Sequence, residues 1–314
     1  MTPKSRICDL LGIEKPILQG GMAWIADAVL AAAVSEAGGL GIISAMNADE
    51  HYIAGQIDKI RTLTDRPFGV NVMLMSPHAD KVAQTVAEKK VPVVTTGAGN
   101  AGKYIPMWNE AGIRVIPVVA SVAMAKLAVR GGACAVIAEG QESGGHIGEL
   151  TTITLVPQVC DAVDVPVIAA GGIADGRGMA AAFMLGAEGV QMGTAYLVAK
   201  ECGVHQNYKN MVLRAGDVST VVTGRRFQAS SCRCIKNGFT REFLKVEYGP
   251  DATAEIVADL GVGALRKAAV DGNVEEGCFL AGQISGMVRE EKTAKEITDG
   301  VYNEFVRLMS GAAV

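Results

Sequence analysis

The chain has 314 residues, of which 49% are hydrophobic and only 5% aromatic, with 38 glycines and a formal net charge of −4. This length fits one large α/β domain or a barrel with a smaller addition, and the acidic balance argues against whole-molecule binding to nucleic acid. No run approaches the roughly 20 apolar residues of a membrane span. Seven scattered cysteines and the lack of an apolar leader favour a cytoplasmic protein with reduced thiols and no membrane partner.

Eight short apolar runs recur along the first two thirds of the chain. They span residues 16–22, 39–45, 68–74, 91–97, 113–119, 133–140, 165–172 and 188–194. Most are near-continuous Val, Ile and Ala, as in strands that are buried on both faces. The segments between them have helical periodicity and end at glycine. Eight consecutive βα units predict a TIM (β/α)8 barrel, with a doubly wound sheet as the runner-up.

The pattern changes after residue 204. Residues 205–280 are more charged and lack the βα rhythm, so we expect a smaller, mostly helical domain over the mouth of a 1–204 barrel. Residues 281–314 form the last segment, and 282–309 read as one turn followed by an amphipathic helix. We expect this helix to return to the barrel wall.

Small and amide residues cluster where the predicted strands end, which is where barrels of this type place their chemistry. Asn71 lies toward the end of the third predicted strand, and Gln191 lies toward the end of the eighth. Small residues admit a flat ligand, and amides can bond the edge of a heterocycle. The glycines after strands seven and eight predict a phosphate site built from backbone N–H groups and a helix N-terminus, unless they only turn the chain. Together these features suggest FMN.

Two further motifs follow strands four and six. "GAGNAG" (97–102) matches a dinucleotide fingerprint, but the acidic residue expected about 20 positions later is missing, so a tight loop at the barrel mouth is favoured. "AEGQESGGHIG" (138–148) places His146 behind a glycine pair. An imidazole titrates near neutral pH, so His146 is a candidate proton donor, the alternative being a histidine that merely bonds a carbonyl.

Several motifs together resemble the nitronate monooxygenase superfamily of FMN-dependent TIM barrels, over nearly the whole chain. They are "ILQGGMAW", "NVML", "AEGQESGGHIGELTT", "AAGGIADGRG", "VQMGT" and "CFLAGQISGMV". Within that superfamily, Glu139 and Ser143 resemble the bacterial flavin-dependent enoyl-acyl-carrier-protein reductases of type II, since nitronate monooxygenases tend to have Gln and Ala there. The resemblance implies FMN contacts at Gly21, Met22, Ala23, Asn71, Glu139, Gly144, Gly145, Gly171, Gly172, Gln191, Met192, Gly193 and Thr194.

The same resemblance implies a reaction. NADPH or NADH would reduce FMN, and reduced FMN would pass hydride to a trans-2-enoyl thioester on acyl carrier protein, with His146 assisting protonation. Gly144 and Gly145 would let their loop pass close to the flavin. The alternatives are O₂-dependent nitronate oxidation and a non-catalytic flavin-binding barrel. A homodimer is expected, and some relatives respond to monovalent cations.

The remaining histidines and cysteines have no metal-site spacing, so no metal is expected. We expect His51 and His78 at the surface, His205 without a partner, and Cys232 and Cys234 as packed or mouth-lining thiols.

A basic cluster lies between residues 224 and 245. It contains Arg225, Arg226, Arg233, Lys236, Arg241 and Lys245, against Glu242 alone. It is either a docking surface for an anionic partner, carrier protein or cofactor phosphate, or a solvated helix face.

Overall fold

A computed structural model describes residues 5–45, 48–227 and 231–311. Its main sheet consists of parallel strands buried on both faces. They are β1 (Ile17–Gln19), β2 (Gly41–Ser44), β3 (Phe68–Met73), β4 (Val93–Gly97), β5 (Arg114–Val119), β6 (Val136–Glu139), β8 (Val167–Ala170) and β9 (Gly189–Met192). Each falls inside one of the predicted apolar runs. Their spatial order is β1-β9-β8-β6-β5-β4-β3-β2.

The two ends of this sheet meet. Leu18 and Leu40 form a parallel bridge between β1 and the start of β2, and the Gln19 amide N–H donates to the Leu40 carbonyl at 2.9 Å. The buried Gln19 side chain spans the same seam, because its Oε1 accepts from the Ile42 N–H at 3.2 Å. The predicted TIM barrel is confirmed, and the doubly wound alternative is wrong.

Helices surround the barrel and continue beyond it. They are α1 (Arg6–Leu11), α2 (Ala28–Glu36), α3 (Glu50–Leu63), α4 (Ala79–Glu88), α5 (Ile105–Glu110), α6 (Val122–Arg130), α7 (Thr152–Cys160), α8 (Gly176–Met184), α9 (Thr194–Leu197), α10 (Gln206–Leu213), α11 (Gly238–Glu247), α12 (Ala254–Gly261), α13 (Ala264–Ala269) and α14 (Ala294–Met309). Asp27 and Asp175 accept from the second and third N–H groups of α2 and α8, which fixes where these helices begin. Glycines with positive φ follow both helices, as the sequence predicted.

The region after residue 204 is not purely helical. β10 (Thr220–Thr223) and β11 (Cys232–Ile235) form an antiparallel pair, and β11 also pairs with β7 (Gly145–His146). Sequence reasoning missed this small sheet, because β7 has two residues and no hydrophobic alternation of its own. The sheet connects the loop after β6 to the following region. The division into 1–204, 205–280 and 281–314 remains our proposal.

The predicted C-terminal helix forms as α14, after a 3-10 turn over Gln283–Met287. A capping box between Thr293 and Glu296 starts it. It packs on the barrel wall, where Glu304 accepts from the Gly176 N–H at 2.8 Å and Phe305 lies 4.6 Å from Phe183 between ring centroids. Within the described ranges, none of the helices is both long and apolar enough to span a membrane.

Candidate functional site

A cavity of about 350 Å³ opens at the carboxyl ends of the barrel strands. Every residue predicted from the sequence to contact the cofactor lines it, and so does His146. These residues are Gly21, Met22, Ala23, Asn71, Glu139, Gly144, Gly145, His146, Gly171, Gly172, Gln191, Met192, Gly193 and Thr194. The structure therefore brings together side chains that are separated by up to 173 positions in the chain (194 − 21).

Asn71 lies near the end of β3, and one of the two polar groups of its side chain has no partner among the described residues. Its Oδ1 accepts from the Thr95 hydroxyl at 3.0 Å, while its Nδ2 forms no hydrogen bond within the described residues. Gly21 packs directly against it, since a Cβ there would lie 2.3 Å from Asn71 Cβ. Gly21 thus positions the amide, and the Nδ2 group can donate to a ligand.

The loops after β8 and β9 present backbone N–H groups to the cavity. Gly171 and Gly172 have φ of +88° and +73°, and the N–H groups of Gly171, Gly172 and Gly193 form no hydrogen bond in the described part of the chain. A Cβ at Gly193 would meet only the Met22 side chain, at 3.7 Å or more. Successive unpaired N–H groups of this kind bind anions.

One of the two helix N-termini that follow these loops, that of α8, is already satisfied. In α8, Asp175 accepts from the Arg177 and Gly178 N–H groups, and Glu304 accepts from the Gly176 N–H. These carboxylates leave no free donor in the first turn and add negative charge. At α8 no free helix donor is left for a phosphate, whereas the loop N–H groups are available and α9 begins directly after Gly193. The phosphate site itself stays a prediction.

The Thr194 hydroxyl is also engaged. Its oxygen accepts from the Gly282 N–H at 2.9 Å, which ties the start of α9 to the segment after Leu280. Its hydrogen remains available to donate.

Gly144 packs closely against another segment of the chain. A Cβ at Gly144 would lie 2.6 Å from the Ala281 carbonyl carbon and 2.8 Å from the Gly282 nitrogen. The structure thus shows a close approach between two backbone segments, and the approach of this loop to a flavin stays a prediction. Gly145 has φ of +80°, a conformation that favours glycine. Together the two glycines deliver the chain into β7.

Glu142 was not predicted, and it anchors the same loop. Its carboxylate accepts from the Thr152 N–H and hydroxyl, each at 3.0 Å, at the start of α7. Its backbone carbonyl accepts from the Gln283 N–H at 2.9 Å. A negative charge at a helix N-terminus is stabilising. The loop after β6 is thus held at both α7 and the 280–284 segment.

His146 lies on β7, directly opposite Cys232 of β11. Its imidazole is exposed at the mouth of the cavity and forms no hydrogen bond with the described residues, so it is not the carbonyl-bonded histidine of the alternative interpretation. Burial by the surrounding protein nevertheless lowers the pKa of His146 below its usual 6.5. The neutral imidazole therefore predominates at pH 7.

Glu139 ends β6 and lines the cavity. It is half-buried. Burial raises the pKa of Glu139 to about 7, and the nearby Ser143 hydroxyl opposes that rise. This carboxyl therefore keeps its proton to a higher pH than an ordinary glutamate does.

Apolar side chains from several elements complete the cavity and were not predicted. They are Met73, Val118, Met124, Ile147, Leu197, Leu265, Leu280 and Ile284. Leu265 and Leu280 come from the region after residue 204, so that region contributes directly to the site. Isolated leucines in a helix or an extended segment carry no signal that separates a cavity lining from a core position.

The remaining predicted features have structural explanations. "GAGNAG" leads from β4 into a 3-10 turn at Ala101–Lys103, as expected for a tight loop. His205 has a partner, because its Nδ1 accepts from the Asn207 N–H at 3.1 Å and caps α10. Among the described residues, no group of three or more His, Cys, Asp or Glu side chains is placed to hold a metal ion.

The basic cluster does not form one uniform surface. Arg233 is buried and donates to the Gln141 carbonyl at 3.0 Å, so its inclusion in a surface cluster is wrong. The exposed Arg226 donates to the carbonyls of Glu247 and Gly249 at 2.9 and 3.0 Å. The side chains that remain exposed without such a role are Arg225, Lys236, Arg241 and Lys245.

Comparison with known proteins agrees with this geometry. FabK from Thermotoga maritima has a structure with a TM-score of 0.95 and 49% identity, covering 99% of this chain and 98% of that one. A (3aS,4S,5R,7aS)-5-hydroxy-7a-methyl-1-oxo-octahydro-1H-indene-4-carboxyl-CoA dehydrogenase of Mycobacterium tuberculosis is 32% identical, covering 100% and 99%. A probable nitronate monooxygenase of Staphylococcus aureus is 33% identical, covering 98% and 99%.

The family model that matches the chain is that of nitronate monooxygenase. It covers residues 4–89 and 77–304 and so includes every strand of the barrel and every residue of the cavity. The chain therefore belongs to the nitronate monooxygenase family of flavin oxidoreductases.

Proposed function

We propose that this protein is an FMN-dependent enoyl-acyl-carrier-protein reductase that uses NADPH or NADH. The observation that carries this proposal is the 49% identity to FabK, a type II enoyl-acyl-carrier-protein reductase, over nearly the full length of both chains. The Mycobacterium tuberculosis relative is named for a carboxyl-CoA substrate, which is also a thioester. That name supports a thioester as the substrate class.

The cavity fits FMN by its donors and its shape. The unpaired N–H groups of Gly171, Gly172 and Gly193 would hold the phosphate. The Asn71 amide would donate to the ring system, and the small residues at the strand ends leave room for a flat ligand. When bound, FMN would supply the hydride chemistry, which no side chain can provide.

His146 would deliver a proton at the open side of the cavity. Breaking an N–H bond of its imidazolium would supply the C–H bond at the substrate α-carbon, after hydride has reached the β-carbon. Because the pKa of His146 is lowered below 6.5, most of its protonated form is lost before pH reaches 6.5. We therefore expect kcat/KM to fall with rising pH, and a pH profile of the His146→Ala variant should lack that limb.

The exposed basic side chains support an acidic protein as the carrier of the substrate. Arg225 and Arg241 lie on an otherwise acidic chain, near the sheet that bears His146. Complementary charge mainly accelerates association and weakens as salt increases. The double change Arg225→Glu with Arg241→Glu should raise KM for the carrier-bound substrate and spare a coenzyme A analogue. Arg226 is left intact because it supports the end of α11.

Anaerobic mixing tests the proposal as a whole. The protein loaded with FMN should lose its yellow absorbance on addition of NADPH or NADH, and a crotonyl thioester should then restore it. Bleaching by an alkyl nitronate alone, with no response to either nicotinamide, would contradict the reductase. Absence of FMN binding would exclude every flavin function.

Nitronate oxidation is the second candidate, and the family model and the Staphylococcus aureus relative favour it. It requires O₂ and no nicotinamide. Glu139 and Ser143 stand against it, since the resemblance associates Gln and Ala with that activity. Oxygen consumption with an alkyl nitronate as the only reductant measures it directly. A homodimer, cytoplasmic location and monovalent-cation dependence also remain part of the proposal.

A further inference from the structure

Arg233 is a buried cation without an anionic partner. Only 5% of the residue is exposed, and its guanidinium forms no ion pair with a carboxylate in the described part of the chain. Its two hydrogen-bond partners are neutral, because Nε donates to the Gln141 carbonyl at 3.0 Å and Nη1 donates to the Thr220 hydroxyl at 3.1 Å. Burying a charge is costly, so a residue that only filled space at this position would be apolar.

Arg233 holds the loop after β6 at two points. Its backbone pairs with Gly145 at the start of β7, and its side chain bonds the Gln141 carbonyl at the other end of the loop. The Thr220 hydroxyl, at the start of β10, holds the guanidinium from the neighbouring strand. A guanidinium presents its donors in a fixed plane, so it holds two acceptors at a set spacing, whereas an ammonium on a flexible stem does not.

The Arg233 side chain approaches this loop from the face of the small sheet that is opposite to the proton donor. Cys232 lies opposite His146 in the register, and Arg233 is the next residue of β11, so its side chain projects from the other face. Arg233 is accordingly not among the described residues that line the cavity, although Gly145 and His146 are. It can therefore act on the chemistry only through the loop that carries the imidazole.

We propose that Arg233 is a positioning residue, which fixes Gln141 and Gly145 and so sets where the His146 imidazole lies relative to the substrate carbons. This inference rests on the proposed enoyl reductase function. The imidazole makes no hydrogen bond with the described residues, so the backbone of β7 locates it. Misplacement of a catalytic group by about 1 Å can cost roughly 100-fold in rate, so a small displacement of this loop would have a large effect.

Stopped-flow measurement of the two half-reactions of the FMN-loaded protein tests this role. The proposed mechanism uses His146 only in the second, the reoxidation of reduced FMN by a crotonyl thioester. Arg233→Lys keeps the charge but loses the fixed plane of donors. It should leave flavin reduction by NADPH or NADH unchanged and slow reoxidation by roughly 10- to 100-fold. In a His146→Ala background the same change should slow reoxidation no further, because the effects of residues that act as a unit are not additive.

The chain offers matched control variants. Thr220→Val removes one of the two acceptors and should slow reoxidation less than Arg233→Lys does, whereas Thr220→Ser keeps the hydroxyl and should behave as wild type. Arg61 lies at the end of α3, at the opposite end of the barrel from the cavity, and donates to the Lys89 carbonyl. Arg61→Lys makes the same exchange of side chains there and should reoxidise at the wild-type rate.

Hydrogen exchange gives a readout that does not depend on activity. The N–H groups of Gln141 and Ile147 donate to carbonyls outside the 141–147 segment, at 2.8 and 3.0 Å, and should be protected in the wild-type protein. In Arg233→Lys they should exchange faster, because the loop has lost its anchor at Gln141. The amides of α3 should exchange equally in both proteins.

The outcomes separate this inference from the proposed function. A wild-type protein whose reduced FMN is not reoxidised by a crotonyl thioester would overturn the proposed function and, with it, the role of Arg233. Reoxidation at the wild-type rate in Arg233→Lys would overturn the inference alone, and so would further slowing in the His146→Ala background or unchanged exchange in the loop. Circular dichroism and flavin content establish that each variant is folded. If Arg233→Lys does not fold, Thr220→Val carries the same test.

Discussion

The barrel wall and the small β10–β11–β7 sheet are built in different ways. Each wall strand is hydrogen-bonded to its neighbours in a parallel ladder. Because both faces of the strand are buried, its stability comes mainly from apolar burial. β7 has two residues, and it exists only because β11 pairs with it from 86 positions away (232 − 146). The proposed proton donor His146 lies on the second kind of structure. The wall thus provides stability and part of the cavity lining, whereas the proposed proton donor depends on a short segment that is fixed by backbone pairing.

Among single substitutions in the small sheet, His146→Ala should lower the rate of thioester reduction most. The imidazole makes no hydrogen bond with the described residues, and β7 is held by its backbone, so the fold should remain intact. Loss of a general acid lowers the rate by about 100-fold or more. Stopped-flow measurement of crotonyl-thioester reduction, with the flavin content of each preparation as the control, checks this value. Turnover within a few-fold of wild type would remove His146 from the mechanism.

A second prediction concerns pH and the wall of the cavity. The pKa of Glu139 is raised from 4.5 to about 7, so the folded protein retains a proton that the unfolded chain has lost between these values. Stability should therefore fall as pH rises from about 4.5 to about 7 and then level off, by at most about 3 kcal/mol. Glu139→Gln should remove this contribution to the pH dependence of the free energy of unfolding. Urea unfolding of both flavin-free proteins at several pH values measures it, and parallel slopes would contradict it.

The wall was predictable because its signal is local. Eight near-continuous apolar runs, such as 68–74 and 165–172, report burial on both faces without any knowledge of the partner strand. The small sheet was not predictable from local pattern. β7 is part of a glycine-rich loop, and its pairing with β11 is a long-range property of the fold. The same holds for Glu142, whose role depends on where α7 begins.

The sequence predicted which residues line the site better than it predicted the contacts and charges around them. The resemblance supplied residues that do line one cavity, including Asn71 and Gly193. It could not show that carboxylates occupy the first turn of α8, or that Gly144 contacts Ala281. Such facts depend on which backbone segments approach each other. The raised pKa of Glu139 likewise follows from three-dimensional burial.

Gly144→Ala tests the contact between the loop after β6 and the 280–284 segment. Its Cβ would lie 2.6 Å from the Ala281 carbonyl carbon, a backbone atom that cannot rotate away. Overpacking of this kind costs about 1–3 kcal/mol. Chemical denaturation should show that loss, and FMN affinity should fall because the loop carries His146 and Ser143. A fully stable Gly144→Ala protein would contradict the close approach.

Gly55→Ala is the matched control at the outer wall and should have the smallest effect. Gly55 lies in the exposed middle of α3, and a Cβ there would have no atom within 4 Å. Alanine is favoured over glycine inside a helix by about 0.5–1 kcal/mol, so this change should stabilise the protein slightly. The same substitution thus has opposite signs at the two positions, because one glycine is needed for a contact between segments and the other is not. Measuring both by denaturation under identical conditions isolates that difference, and a destabilised Gly55→Ala would show that the outer wall is also closely constrained.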